Sequence, residues 1–154
     1  MRIACSTLLV LLFMFAVAIA PSAHARELSQ EQHCLALAMY WEARGEGREG
    51  MEAVGWTVLN RAHNEQFPST LCGVVQQGGE KPPCQFSWWC DGKSDRPRDA
   101  DLWEQAQAVA VSLDTDPPTD PTKGALFFHN SSIAVPWKKP RERTARIGSH
   151  IFYR

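Results

Sequence analysis

Tyr40-Trp41-Glu42-Ala43-Arg44-Gly45-Glu46-Gly47 closes a strongly helical stretch and places a carboxylate where a helix should be apolar. Leu35, Ala38 and Met39 recur at the spacing of one helix face. Glu42 falls on that face, seven residues after Leu35. A carboxylate turned towards a core loses water, which disfavours its charged form and raises its pKa. An acid still protonated near neutral pH is what general acid catalysis requires. Periodicity alone leaves a second reading equally open, in which Glu42 sits at a frayed helix end and reaches solvent through the Gly-rich turn.

Upstream, Ser29 and Gln32 form an S-x-x-Q capping box, so a helix is predicted over 29–43 and is stopped by Gly45 and Gly47. Downstream, Met51, Val54, Val58, Leu59 and Ala62 mark a second helix over 49–63. Gly55 lies on its stripe and points to close approach by another element, because glycine otherwise costs a helix about 1 kcal/mol. Pro and Gly interrupt 64–97, where 74–77 and 85–88 are read as two short paired strands. Leu102, Trp103, Ala106, Val109, Ala110 and Leu113 give a third helix over 99–113, ended by the prolines that follow. A strand over 125–129 and a hairpin of 144–147 and 150–153 about Gly148-Ser149 close the chain. Helices followed by a small sheet predict an α+β fold, mainly helical with a small antiparallel sheet.

The first residues address the compartment. Arg2 supplies a positive start, residues 8–20 are an unbroken apolar run of 13, and Ala23-His24-Ala25 is an A-x-A cleavage site. This predicts a signal peptide over 1–25 and an exported, periplasmic or extracellular, chain of 129 residues over 26–154. The apolar run is short for a membrane span, so no stable span is expected. Cys34, Cys72, Cys84 and Cys90 remain, an even count that suggests two disulfides. Four cysteines allow three pairings; Cys72–Cys84 with Cys34–Cys90 is the favoured one. No C-x-x-C pair is present, so neither a zinc site nor any other metal or cofactor is expected.

Residues 26–120 carry 8 Lys+Arg against 16 Asp+Glu, whereas 121–154 carry 7 against 1. The basic tail could meet an anionic polymer or pack beside the acidic part of its own domain. No nucleic-acid motif is present, and nucleic acid is not an expected partner. A monomer is expected.

Further motifs follow at regular intervals: Glu42-Ala43-Arg44-Gly45-Glu46, Ala53-Val54, Asn60-Arg61, Phe67-Pro68, Cys72-Gly73-Val74-Val75, Gln85-Phe86-Ser87 and Ile147-Gly148-Ser149-His150-Ile151-Phe152. This ordered set resembles the bacterial cell wall hydrolase family typified by spore-cortex-lytic enzymes. The resemblance spans nearly all of 26–154 and implies a lysozyme-related catalytic domain there. It implies cleavage of peptidoglycan between N-acetylmuramic acid and N-acetylglucosamine, as a lytic transglycosylase that leaves a 1,6-anhydro end. The first Glu of E-A-R-G-E is the family's acid, which selects Glu42, and Gln85 falls where the family places Gln-Phe at the cleft.

Phe86, Ser87, Trp88 and Trp89 are the accompanying candidates for a sugar groove, since rings stack on sugar C–H faces and polar side chains bond hydroxyls. Each tryptophan taken singly could equally fill a small core. His129 is read as bordering the substrate, and Asn60 as support for the cleft wall. Glu46 is the candidate second carboxylate, though anchoring the turn or pairing with Arg44 or Arg48 is preferred for it. Met51 stands where the family usually has Gln. With no separate wall-binding domain ahead of 26–154, wall binding is expected from the domain, its basic tail or a partner. The rival readings are a water-using muramidase, with Glu46 or Asp91 as second carboxylate, and a non-catalytic peptidoglycan-binding module. An amidase ranks last, because no H-E-x-x-H or Cys/His pattern is present.

Overall fold

In a computed structural model that describes residues 27–135 and 137–154, helix α1 (Gln30–Glu42) begins where its capping box places it. The Ser29 hydroxyl accepts from the Gln32 N–H at 3.1 Å, and the Ser29 N–H donates to the Gln32 side-chain oxygen at 3.0 Å. The expected signal peptide lies outside the described residues. α1 does not present one apolar face: Cys34 through Tyr40 are all buried, so the helix is apolar around its circumference and runs through the centre of the core.

Helix α2 (Gly47–Ala62), the short helix α3 (Leu71–Val75) and helix α4 (Ala100–Thr115) surround α1. Gly55 is the close approach its position suggested. A Cβ there would collide with Leu113 of α4 and come within 2.9 Å of the Met39 sulfur of α1. Asp99 caps α4 by accepting from the Leu102 N–H at 3.0 Å.

The 64–97 region departs from the expected pair of strands. Residues 71–75 are helical, and Ser87–Cys90 form a 3-10 turn. Among the described residues one backbone bond, Gln85 N–H to Gln77 C=O at 2.9 Å, joins the two stretches. The helix wins because its start is satisfied three times over. The Thr70 hydroxyl accepts from Gly73 N–H, and Glu31 of α1 accepts from Leu71 and Cys72 N–H at 2.6 and 3.1 Å.

That docking also decides the cysteines, against the favoured pairing. Cys72 rides on α3 beside α1 and joins Cys34, with Cα atoms 5.2 Å apart. Cys84 and Cys90 close the 3-10 turn on itself. The Cys34–Cys72 bridge spans 38 residues against 6 for the other. Loop-closure entropy makes its removal the costlier by roughly 1–2 kcal/mol. Urea unfolding of Cys34→Ser with Cys72→Ser, beside Cys84→Ser with Cys90→Ser, is expected to show the larger drop in midpoint for the first pair.

Strands β1 (Phe127–Asn130), β2 (Arg143–Ile147) and β3 (His150–Tyr153) form an antiparallel sheet in the order β1-β3-β2. The β2–β3 hairpin turns at Gly148-Ser149, as its sequence indicated, with Gly148 at φ +55°. Ala125, Ile147 and Phe152 bury against Ala53 of α2, which fixes the sheet to the helical layer. The connection from α4 is fixed by Asp120, which accepts from Thr122 and Gly124 N–H and from the Asn60 amide at 3.0 Å. Asn60 also donates to the Ala125 carbonyl, so it braces the segment that leads into β1.

Candidate active site

Glu42 is the last residue of α1, at the negative end of the helix dipole, with no basic residue in that last turn. Burial pushes its carboxyl up from the ordinary 4.5 to about 7, against the opposing pull of the Trp88 indole N–H and the Arg61 guanidinium. The indole N–H is near enough to oppose the rise yet completes no hydrogen bond of good geometry.

Arg61 is the unusual group beside Glu42. It lies on α2, follows Val54 and Val58 on the buried stripe, and is only 2% exposed. Its Nε donates to the Leu126 carbonyl at 2.7 Å. Its guanidinium carbon sits 5.5 Å from the ring centres of Phe67 and Phe86 and 5.8 Å from that of Phe127. Nη1 is buried without a partner. Burial lowers its pKa to about 10, with Glu42 opposing and Arg141 assisting, so it stays a cation at neutral pH. The periodicity that singles out Glu42 would have singled out Arg61 too, as a charge on an apolar stripe.

The other candidates separate into three groups. Trp88 and Phe86 are buried at the site, with Trp88 stacked on Trp41 at 6.3 Å and tilted against Phe86 at 6.2 Å. Gln85 and Ser87 flank Phe86 with exposed side chains, while Trp89 packs half-buried against the main core. His129 is buried on β1, its ring nitrogens engaged by the Asn130 carbonyl at 2.9 Å and the Tyr153 hydroxyl at 3.0 Å. It belongs to an aromatic cluster with Trp137 and Tyr153, beside which Arg141 lies over the Phe127 ring.

Glu46 joins none of these groups. Both of its oxygens face the β2–β3 turn, accepting from the Ser149 N–H at 2.9 Å and from the Ser149 hydroxyl. These bonds hold its carboxyl below the usual range. A depressed carboxyl pKa stabilises the fold above the unfolded value and is lost as pH falls through the folded one. Glu46→Gln is therefore expected to lower stability at neutral pH by about 1 kcal/mol, with the deficit shrinking in acid. Thermal melts at two pH values read this out. Asp91, the other candidate second carboxylate, is exposed and paired with Lys93 at 3.3 Å. Among the described residues, no three His, Cys, Asp or Glu side chains are grouped to hold a metal ion.

The sequence model of the Cell Wall Hydrolase family matches residues 45–153. The match begins just past Glu42, so that half-buried residue is singled out by its surroundings and its raised pKa. Spore cortex-lytic enzymes of Bacillus subtilis and Oceanobacillus iheyensis are 35% and 34% identical over 121 residues. Those 121 residues are 77% of this chain but 35% and 39% of those proteins, so the chain spans well under half the length of these relatives. Among solved structures, the catalytic domain of the germination-specific lytic transglycosylase SleB from Bacillus anthracis superposes with a TM-score of 0.65 at 30% identity. That superposition covers 84% of this chain and 98% of that domain. The Bacillus cereus SleB catalytic domain gives a TM-score of 0.60 at 30% identity, over 84% and 94%. By the extent of the family match and the agreement of the whole described fold with these catalytic domains, the chain belongs to the cell wall hydrolase family.

Proposed function

We propose that this protein is an exported enzyme that cuts the glycan strand of peptidoglycan between N-acetylmuramic acid and N-acetylglucosamine, as a lytic transglycosylase. The observation that carries the reading is a single proton-bearing carboxyl at the site. Glu42 is raised to about 7, whereas both alternative carboxylates are committed elsewhere, Glu46 to Ser149 and Asp91 to Lys93. A water-using glycosidase needs two carboxyl groups across the scissile bond. A transglycosylase needs one, because the muramic 6-hydroxyl is an internal nucleophile already held near its own C1.

The steps balance through Glu42 alone. The Glu42 carboxyl gives its proton to the glycosidic oxygen as the C1–O bond breaks. The 6-hydroxyl oxygen bonds to C1, and its proton returns to Glu42. Between the two transfers Glu42 is an anion, and Arg61 and the Trp88 N–H are the groups that stabilise it. The exposed Gln85 and Ser87 supply polar groups for the sugars, the nearly sealed Phe86 and Trp88 shape the wall behind them, and the partly exposed Tyr153, held by His129, offers a ring face.

Export is supported by two disulfides and by the leading apolar segment. Among the described residues no helix is long and apolar enough to cross a membrane. Mass spectrometry of fragments released from purified peptidoglycan tests the reaction class. Disaccharide products lighter by one water than their hydrolytic counterparts are expected, whereas full-mass reducing ends would identify a muramidase. Binding to sacculi with no release would identify a wall-binding module.

A further inference from the structure

Against the Trp41–Trp88 stack lies a cavity of about 350 Å³ lined by Trp41, Arg44, Trp88, Asp95 and Arg98, together with Ser94 and the Asp91–Lys93 ion pair. Its volume falls within the range of small-ligand sites. A second hollow of about 230 Å³ adjoins it through Lys93 and Asp95 and brings in Glu80. The walls are fixed. The Tyr40 hydroxyl, wholly buried, accepts from the Arg98 and Asp99 N–H groups at 3.0 and 3.1 Å. The Trp41 indole N–H donates to the Asp95 carbonyl at 3.2 Å. These bonds tie the 95–99 segment to α1, so the cavity is preformed.

Apart from the Asp91–Lys93 pair, its charges are unspent. The Arg44 guanidinium lies over the Tyr40 and Trp41 rings at 5.3 and 5.2 Å. Among the described residues neither Arg44 nor Arg98 forms a salt bridge, and neither does Asp95. Arg44 and Arg98 are the cavity's two cations outside any salt bridge among the described residues; Asp95 lines it too and, with Glu80 against Lys93, leaves the adjoining hollow net anionic. Asp95 is held above the usual carboxylate range by burial and by the nearby Asp91 and Glu80, a setting that favours an incoming ammonium.

We propose that this cavity is a recognition site for the peptide arm of the substrate, with Arg44 and Arg98 taking its carboxylates and Asp95 its free ammonium. The inference rests on the peptidoglycan reading above and sharpens it. The arm leaves the muramic sugar beside the bond that is cut, and one tryptophan ring separates this cavity from Glu42. Guanidinium groups bind carboxylates through paired N–H donors, which distinguishes a peptide terminus from a neutral sugar. An arm whose ammonium is acylated in a crosslink loses the Asp95 contact, so the site favours muramic acid whose peptide keeps that ammonium free.

Tryptophan fluorescence titration with the free peptide L-alanyl-D-isoglutamyl-meso-diaminopimelate, a probe independent of cleavage, tests the site. Saturable binding is expected, weakened about tenfold or more by the Arg44→Gln/Arg98→Gln double substitution. Amidating the peptide carboxylates should weaken binding to the unaltered protein as much, and the two changes should not add. Acetylating the diaminopimelate ammonium should weaken it through Asp95, whereas acetylating the alanine amine, which is acylated in the strand, should not. In cleavage assays, the kcat/KM ratio for peptide-bearing over peptide-stripped strands should exceed about ten and fall towards one in the double variant.

No saturable binding, or equal affinity for free and amidated peptide, would overturn the proposal. Both altered side chains are exposed; should the variant nonetheless misfold, the amidated peptide on the unaltered protein decides. Saturable peptide binding without release of any glycan fragment would overturn the transglycosylase reading and leave the peptide site standing.

Discussion

Glu42→Gln is expected to release no detectable anhydro fragments from peptidoglycan, a loss of roughly 10²–10⁴-fold, because general acid catalysis by a positioned side chain contributes about that much. Glutamine keeps the shape and the capacity to hydrogen-bond but has no proton to give. The same substitution should stabilise the fold, and the sign follows from the shift. The folded pKa, about 7, lies above the ordinary 4.5. The native state therefore binds more protons than the unfolded chain between those values, and stability falls as pH rises through that window. Above pH 7 the carboxylate, largely desolvated although part of it still reaches the surface, costs up to roughly 3 kcal/mol, a cost absent with glutamine. Urea unfolding at about pH 8 should thus find Glu42→Gln the more stable, with the difference vanishing near pH 4. In the unaltered enzyme, cleavage should decline as pH climbs through about 7. A variant destabilised at both pH values, or one still active, would remove Glu42 from the role of buried acid.

This coupling of lost activity to gained stability marks what was legible in the sequence. Glu42 stood out because a carboxylate at an apolar helical position breaks local consistency, and such breaks concentrate where function is costly. Arg61 breaks the same rule on α2 and is legible by the same test. The capping box of α1 and the Gly148-Ser149 hairpin were readable because each is settled within a few residues. The disulfides were not. Cys72 finds Cys34 only because Thr70 and Glu31 make 71–75 helical and hold it on α1, and the Glu31 bonds cross some 40 residues. The burial of α1 on every side was likewise beyond a one-face reading, since it depends on three other helices closing around it. The cavity at Arg44 and Arg98 needed the fold outright, because Tyr40 brings its two halves together from 58 residues apart.

Arg61→Met should separate catalysis from folding. Methionine fills comparable space among Phe67, Phe86 and Phe127 and carries no charge to desolvate. The substitution gives up the Nε bond to Leu126 but also removes a buried cation with an unpartnered Nη1. Replacing a buried charge by a well-packed apolar side chain is commonly neutral or stabilising, provided its partner can neutralise itself. Glu42 can, by keeping its proton. Stability near neutral pH should therefore change little, while kcat falls about 10²-fold for want of the cation that receives the Glu42 anion. KM should move far less, since Arg61 is sealed behind the rings and meets the reaction only through Glu42. The discriminating readout is the alkaline limb of the pH–rate profile. Without the cation, the Glu42 pKa climbs above its value of about 7, so the limb should shift to higher pH even as the maximum falls. Arg61→Lys, which keeps the charge but not the planar fork, should hold the limb near its original place with a smaller loss of rate. An Arg61→Met limb that stays where it was would mean that the guanidinium only packs. The stabilisation of the transient carboxylate would then fall to the Trp88 N–H alone.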